Sequence, residues 1–584
     1  MAPWSPSEHA VLLHDAQAGQ WLALSDPCRI ISTTRIEEVV ACLREVEAEV
    51  AARGLIAAGF VAYEAAAAFD AALVTHHEDS GFPLLWFALY RQGHPFSWPA
   101  TNGDLPHLSW QPTLGPETYR ASIEQIHRYI AAGDTYQVNF SYRLSAPYAG
   151  EFWPLYAQLA AGDAPEFGAY LNIGRWQIGS LSPELFFCRE GDLLTSLPMK
   201  GTIKRGLSAE DDRQQGRRLH HSAKDRAENV MIVDMVRNDL GRIARPGTVR
   251  VEEPFAVRRY PTLWQMTTTV SAQVRRSLTD IFAALFPAAS ITGAPKARTM
   301  ALIGELETTP RRIYTGTIGM LLPDGRAQFN VAIRTLLHDR QQQRLEYGVG
   351  GGITADSSIA GEWEETRVKS LVCRTSMPEF SLLETLAWRP EMGFVLLEAH
   401  LHRLRDSADY FGYPCDVEAV RQQLTAAVAE CSSPGCKLRV LLDRLGRLRI
   451  ETHPLPSPSG DRPLRLVLAK EPVDANNRFL YHKTTLRQVY VQARAAADPA
   501  ADDVLLYNQA RELTETTIAN IILTLDGQRY TPPVHCGLLP GTLRQHLLES
   551  GAIEERILSI DCLARAEAIT LINSVRGQMD ARLL

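Results

Sequence analysis

The sequence predicts a mixed α/β and α+β protein with two large domains, the second divided into two subdomains, and three observations carry that expectation. The chain has 584 residues, several times the roughly 150 that one domain usually takes. Its texture changes near 376–380, from Gly-punctuated strands and long patterned helices to shorter strand-like runs with one Arg-rich helix. The densest Pro/Ser/Gly stretch, Pro454-Leu-Pro-Ser-Pro-Ser-Gly-Asp-Arg-Pro463, reads as a linker within the later half. We therefore expect domains at 1–377 and 378–584, with a subdomain linker near 454–463.

Periodicity and punctuation give the elements in order. An Ala- and Glu-rich pattern near 36–53 predicts a helix, and Gly59-Phe-Val-Ala-Tyr-Glu64 follows it. Glu117 to Ala132 predicts a helix stopped by Gly133-Asp134, and Tyr136-Gln-Val-Asn-Phe-Ser141 a strand. Leu185-Phe186-Phe187 and Leu193-Leu194 read as two strands of a hairpin turned by Glu190-Gly191-Asp192. Lys224 to Arg242 predicts a long helix opening after Ser222-Ala223. Strands are expected at 313–321, 328–338 and 345–353, and a helix at 359–374. Beyond the boundary come a helix at 399–411, strands at 464–469, 503–507 and 518–524, and a helix at 541–550.

Composition narrows the partners. A net charge of −7 and a pI near 6.2 argue against nucleic acid or an anionic membrane as the main partner. The start of the chain has no signal-peptide pattern, and no apolar run reaches the ~18 residues of a membrane span, so the expected location is cytoplasmic. Nine cysteines are scattered without zinc-site spacing, Cys431 and Cys436 included, and read as reduced thiols.

Chemistry begins with Glu184 and Lys200, which the hairpin brings near one another at strand ends. A nucleophilic lysine must lose its proton near neutral pH, and a nearby carboxylate serves as general acid for a leaving hydroxyl. Taken alone, the pair also fits a surface ion pair. Asp225 and Glu228 share one helix face, and Glu362, Glu365 and Lys369 share another. Two such acidic faces suit Mg²⁺, a hard ion held by carboxylate oxygens, although either alone suits a solvated helix. Between them lie anion receptors: Thr292-Gly293-Ala-Pro295, Tyr314-Thr-Gly-Thr317, Arg334 and the glycines around Gly350. Together they imply a small polyanionic substrate.

From about residue 30 to 375 the sequence resembles the chorismate-utilising enzymes. The resemblance rests on Ser182-Pro-Glu-Leu-Phe186, Lys224-Asp-Arg-Ala-Glu-Asn229, Arg237-Asn-Asp-Leu-Gly241, Ile291-Thr-Gly-Ala-Pro-Lys296, Tyr314-Thr-Gly316 and Glu362-Trp-Glu-Glu-Thr366. It implies a large β-sandwich flanked by helices. The lysine of Pro198-Met-Lys-Gly-Thr202 is similar to that of the aminodeoxychorismate synthase component I branch. By that resemblance Lys200 attacks C2 of chorismate and Glu184 protonates the departing C4 hydroxyl. Glu228 and Glu365 would ligate Mg²⁺, with Asp225 and Glu362 behind them. Thr292, Gly293, Tyr314, Arg334, Gly350 and Lys369 fall at substrate-contacting positions. The sequence departs from relatives that carry His at Gln265, which puts an acid–base role there in doubt.

The second half offers Arg403, Lys483, Glu515 and the helix start Pro540-Gly-Thr-Leu-Arg544. These supply a phosphate-binding helix N-terminus and arginine, a Schiff-base lysine and a carboxylate for a pyridinium, the needs of pyridoxal phosphate. Each residue singly also suits a solvated surface. Their order resembles the fold-type IV pyridoxal-phosphate family, as does Asn573-Ser-Val-Arg-Gly577. That resemblance implies Arg403 on the phosphate, Lys483 as Schiff-base lysine, Glu515 on the ring nitrogen, and amides of Thr542 and Leu543 on the phosphate. It admits a homodimer through this domain.

The expected function is amination of chorismate to 4-amino-4-deoxychorismate, then loss of pyruvate to give 4-aminobenzoate. The alternatives are an anthranilate-type synthase fused to an amino-acid aminotransferase, and a domain that binds without catalysing. No Gly-x-Cys-x-Gly elbow is present, so ammonia is expected from solution or from a separate glutamine amidotransferase subunit.

Overall fold

The computed structural model describes all residues except 1–5, 77–79, 99–104, 164, 371–377, 430, 432–434 and 457–461, so part of the expected linker lies outside the described residues. The chain divides into a first unit, 1–204 with 216–378, and a second, 205–215 with 379–584. The short segment 205–215 thus packs with the later half, a placement that no pattern in its sequence marks.

In the first unit two ten-stranded sheets form the layers of a sandwich. Every pairing in them is antiparallel, so side chains alternate between an inner and an outer face. Val11, Leu13 and Ile178 of one sheet meet Phe60, Ala88 and Met320 of the other in a common core. The outer faces are covered by helices. Ile36–Arg53, Ala223–Gly241 and Leu278–Leu285 cover one sheet, and Pro116–Ala131, Phe152–Asp163 and Lys296–Leu306 the other.

The helix Ala223–Gly241 shows why the sequence forms it. Ser222 caps it by accepting from the Asp225 N–H, and Ile232, Val233, Val236 and Leu240 make a buried stripe. The acidic residues of its first turns are left near the strand Met199–Lys204. Two strand expectations need correction. The run read as 328–338 is two strands, Ala327–Asn330 and Thr335–Asp339. The ladder breaks where Arg334 takes a left-handed φ of 50°. The strand expected at 313–321 begins only at Thr317, after Arg312 and Thr315 with φ of 52° and 60°. The helix expected to reach 374 is described as Ile359–Ser370, and its remainder lies outside the described residues.

The second unit holds a four-stranded sheet under the helices Leu397–Phe411 and Val417–Val428, and an eight-stranded mixed sheet. In the larger sheet Leu464–Leu468 pairs in parallel with both Asp503–Tyr507 and Gly577–Leu583. The cysteine expectation is corrected here: Cys431 and Cys436 form a disulfide. The strand Cys436–Leu442 begins just after the helix that Cys431 follows. Among the described residues, no helix is long and apolar enough to cross a membrane.

Candidate active sites

Lys200 lies on the strand Met199–Lys204, whose register against Leu263–Gln273 shifts between Met199 and Thr202. Gly201 has φ 97° at that irregularity, a conformation glycine adopts without a Cβ penalty. The Lys200 ammonium sits 3.3 Å from a Glu228 carboxylate oxygen. Glu184 is 3% exposed; its Oε1 accepts from the Ser290 hydroxyl at 2.6 Å and the Met199 N–H at 3.4 Å. Burial pushes the Glu184 carboxyl up to about 7, outweighing those two donors and the charges of Lys200 and Lys369. A glutamic acid in that state donates a proton near neutrality.

The second acidic face comes from the helix Ile359–Ser370, packed on the strand Arg344–Ile353. Its glycines allow the approach. A Cβ on Gly351 would stand 2.9 Å from Glu362 Oε2 and 3.8 Å from Glu365 Oε1. Lys369 donates to the Gly350 carbonyl at 2.9 Å and pairs with Glu365 at 2.6 Å. Burial, and then Glu365, raise the Glu362 carboxyl, while Lys369 lowers that of Glu365. Asp225 accepts from the Ser222 hydroxyl and faces Gly201. The oxygen donors suit Mg²⁺ chemically. As they stand, Glu228 and Glu365 are ion-paired to lysines, and no three acids gather as a metal cluster among the described residues.

Around this centre, Tyr314 is buried against Gly348, where a Cβ would lie 2.2 Å from the ring, and the Arg143 guanidinium lies over the same ring, 4.7 Å from its centroid. Arg334 lies beside the Tyr260 ring. The Thr292 hydroxyl donates to backbone carbonyls of Ala288 and Ala289. Gly293, at φ 151°, passes so close to Gln137 that a Cβ would fall 2.0 Å from its carbonyl oxygen. Gln265 is half-buried mid-strand, paired with Thr202 and Arg258.

Two residues escaped sequence reasoning. Ser290 holds Glu184, and its one signal is that it directly precedes the Ile291-Thr-Gly-Ala-Pro stretch. Gln137 is fully buried with neither amide atom hydrogen-bonded. A Cβ on Gly352 would meet both Lys200 Nζ at 2.3 Å and Gln137 Nε2 at 3.0 Å, so the amide and the ammonium flank one point. Gln137 is thus a buried amide without a hydrogen-bond partner beside Lys200, and a buried polar group left unsatisfied calls for an explanation.

The second site surrounds a cavity open to solvent and lined by Lys483, Arg403, Glu515, Thr542 and Leu543 among others. Burial pushes the Lys483 amine down to about 8, and the Arg403 charge pushes the same way. Glu515, on the strand Leu513–Thr516, is raised to about 7 by burial although Tyr490 donates to it at 2.7 Å. Asn520 donates to its other oxygen at 3.1 Å. Arg403 is held by both oxygens of Glu384, at 2.8 and 2.7 Å, and by the Pro540 carbonyl at 3.0 Å. Against its own burial, Glu384 is kept far below the usual carboxylate range by Arg403 and then His400. The sequence does not mark Glu384 and His400 as partners, because they lie on a strand and the helix after it, sixteen residues apart, and meet only when that helix packs on the strand. His400 in turn meets Ser574 at 2.9 Å and Thr542 at 3.2 Å.

The helix Thr542–Glu549 starts at Gly541 with no side-chain cap, which leaves its first N–H groups for an anion. A Cβ on Gly541 would lie 1.9 Å from Asn520 Oδ1, so the turn requires glycine. A depressed lysine, a buried carboxyl without a cation directly on it, and uncapped amides at the cavity wall fit pyridoxal phosphate.

A sandwich carrying an acid and lysine centre, and a second unit whose cavity fits pyridoxal phosphate, are the two parts of an enzyme. Residues 98–373 match the model of the chorismate binding enzyme family, and residues 381–584 that of the amino-transferase class IV family. It is 42% identical over 261 residues to aminodeoxychorismate synthase component 1 of Klebsiella aerogenes, covering 44% of this chain and 57% of that protein. It is 37% identical over 285 residues to an anthranilate synthase component 1 of Haloarcula marismortui, covering 47% and 56%. The chain thus spans little more than half the length of the curated relatives it matches. Anthranilate synthase component I of Streptococcus pneumoniae shares the fold, with TM-score 0.53 and 24% identity over 64% of this chain and 94% of that one.

Proposed function

We propose that the chain converts chorismate and ammonia into 4-amino-4-deoxychorismate at the first site, and that compound into 4-aminobenzoate and pyruvate at the second. The observation that carries the first half is Glu184, a buried acid held near pH 7 beside Lys200. The Lys200 amine, once its ammonium proton has gone to solvent, forms a bond to C2 of chorismate while the two ring double bonds shift, C1=C2 to C1=C6 and C5=C6 to C4=C5, and the C4–O bond breaks. Glu184 gives its proton to the departing hydroxyl, which leaves as water. Ammonia then bonds to C4, both double bonds return to their starting positions, the C2–N bond breaks, and a proton passes from the entering nitrogen to Lys200 as it leaves. Gln137, beside Lys200, would orient that amine for attack. Arg334, Tyr314, Lys369 and the amides near Gly293 and Gly350 would receive the carboxylates. Glu228, Glu365, Asp225 and Glu362 would hold Mg²⁺, which screens those carboxylates when bound.

At the second site the relevant chain groups are Lys483, Glu515 and the phosphate-binding wall. Pyridoxal phosphate, when bound, supplies an electron sink for charge at the carbon bearing the amine. Glu515 would hold its ring nitrogen, and Arg403 with the amides of Thr542 and Leu543 would hold its phosphate. Lys483, whose amine is already depressed towards neutrality, takes the C4 proton, and the enolpyruvyl group leaves as pyruvate once protonated. Ammonia would come from a separate glutamine amidotransferase subunit, in keeping with relatives named as component 1. The test is product analysis: the holo-protein given chorismate, ammonium and Mg²⁺ should form 4-aminobenzoate and pyruvate. Anthranilate as the aromatic product would overturn the first half, and keto-acid exchange without pyruvate release would overturn the second.

A further inference from the structure

Three arginines line the second cavity, and they differ in their partners. Arg403 is neutralised by Glu384, and Arg544, 1% exposed, is paired with Glu555. Arg487 is paired with no acid within ion-pair distance among the described residues. Its Nη2 donates to the Thr517 carbonyl, and its guanidinium lies over the Tyr490 ring, 4.7 Å from the centroid. Tyr490 is itself fixed by its hydroxyl on Glu515. Arg487 is therefore a positioned, half-buried cation on a polar cavity wall, at the Glu515 end and not at the uncapped helix start. A guanidinium with spare donors in a partly desolvated cavity selects a planar anion that takes two N–H groups at once. We infer that Arg487 is the receptor for a substrate carboxylate at the second site. The inference rests on the lyase reading, in which the substrate carries two carboxylates and no phosphate.

The experiment compares the holo wild type with Arg487→Gln and Arg487→Lys, supplied directly with 4-amino-4-deoxychorismate. The visible band and the borohydride-fixed adduct at Lys483 report cofactor loading. In Arg487→Gln the loading should persist while KM rises by roughly 10- to 100-fold, the range for losing a hydrogen bond between charged groups, with a smaller fall in kcat. Arg487→Lys should recover part of that rise. Binding of 4-aminobenzoate and of neutral 4-aminobenzamide, followed by calorimetry, locates the carboxylate. Loss of acid-over-amide preference in the Gln variant assigns the ring carboxylate, and an unchanged preference with raised KM assigns the enolpyruvyl one. An unchanged KM overturns the inference. So does a shifted pH titration of the visible band without a KM change, which would give Arg487 to the cofactor. If wild type does not consume 4-amino-4-deoxychorismate, the lyase reading fails by itself. Arg487 is then judged on the half-saturation of whichever amino acid is converted.

Discussion

Two lysines do the covalent work in this account, and their surroundings are opposites. Lys200 stands 3.3 Å from Glu228, close to the acidic residues of two helices. Lys483 is half-buried in the second cavity with Arg403 as its strongest charged neighbour, and desolvation, with that charge, pushes its amine down to about 8. A lysine kept among carboxylates has its ammonium held in place by them, and its charge helps hold an anionic substrate until the proton is lost. A lysine desolvated beside a cation is ready to condense with a carbonyl and to act as a base. The same residue type is thus set to two tasks by burial and by the sign of its neighbours.

The largest expected effect removes the first task. Lys200→Ala should abolish amination, and trapping wild type with chorismate should place a mass adduct on Lys200. Unchanged turnover in the Ala variant, or an adduct on another residue, contradicts the contrast. Glu184→Gln comes next, with a loss of about 10²- to 10⁴-fold for a missing general acid. Its pH dependence carries a definite sign. Glu184 must be protonated to act, so chorismate consumption should fall as pH rises through about 7, and that basic limb should vanish from the residual rate of the Gln variant.

Nitrogen supply gives a further outcome. Purified alone, the protein should use ammonium salts and ignore glutamine; glutamine-dependent product from a homogeneous preparation would contradict the chain's lack of a glutaminase elbow. The smallest effect expected is that of Gly352→Ala, whose Cβ would fall 2.3 Å from Lys200 Nζ. Lys200 is a flexible side chain and can retreat, so the variant should fold, with a several-fold lower rate and a melting temperature near that of wild type.

Much of the first site could be read from sequence because its groups lie at local spacings. Asp225 with Glu228, and Glu362 with Glu365 and Lys369, share helix faces by periodicity alone. The helix Ala223–Gly241 declares itself through Ser222 and its apolar stripe. What stayed hidden depends on long-range approach. Gln137 reads as one more strand residue until Gly352 brings it to Lys200. Glu384 is an ordinary strand carboxylate until Arg403 and His400 close on it. Arg334 looks like a mid-strand residue, since no local signal announces its left-handed backbone. The Cys431–Cys436 disulfide has no zinc-like or repeated spacing to reveal it, and segment 205–215 reads as part of the half in which it lies in sequence.

The central claim is that the two lysines serve separate reactions in sequence, and one variant tests it most directly. Lys483→Ala, given chorismate, ammonium, Mg²⁺ and pyridoxal phosphate, is followed for both chorismate loss and products. The account predicts chorismate consumption near the wild-type rate, no borohydride-sensitive visible band, and accumulation of 4-amino-4-deoxychorismate that an added independent lyase converts to 4-aminobenzoate. Formation of 4-aminobenzoate by the variant alone at the wild-type rate, or collapse of chorismate consumption in a folded variant, would contradict it.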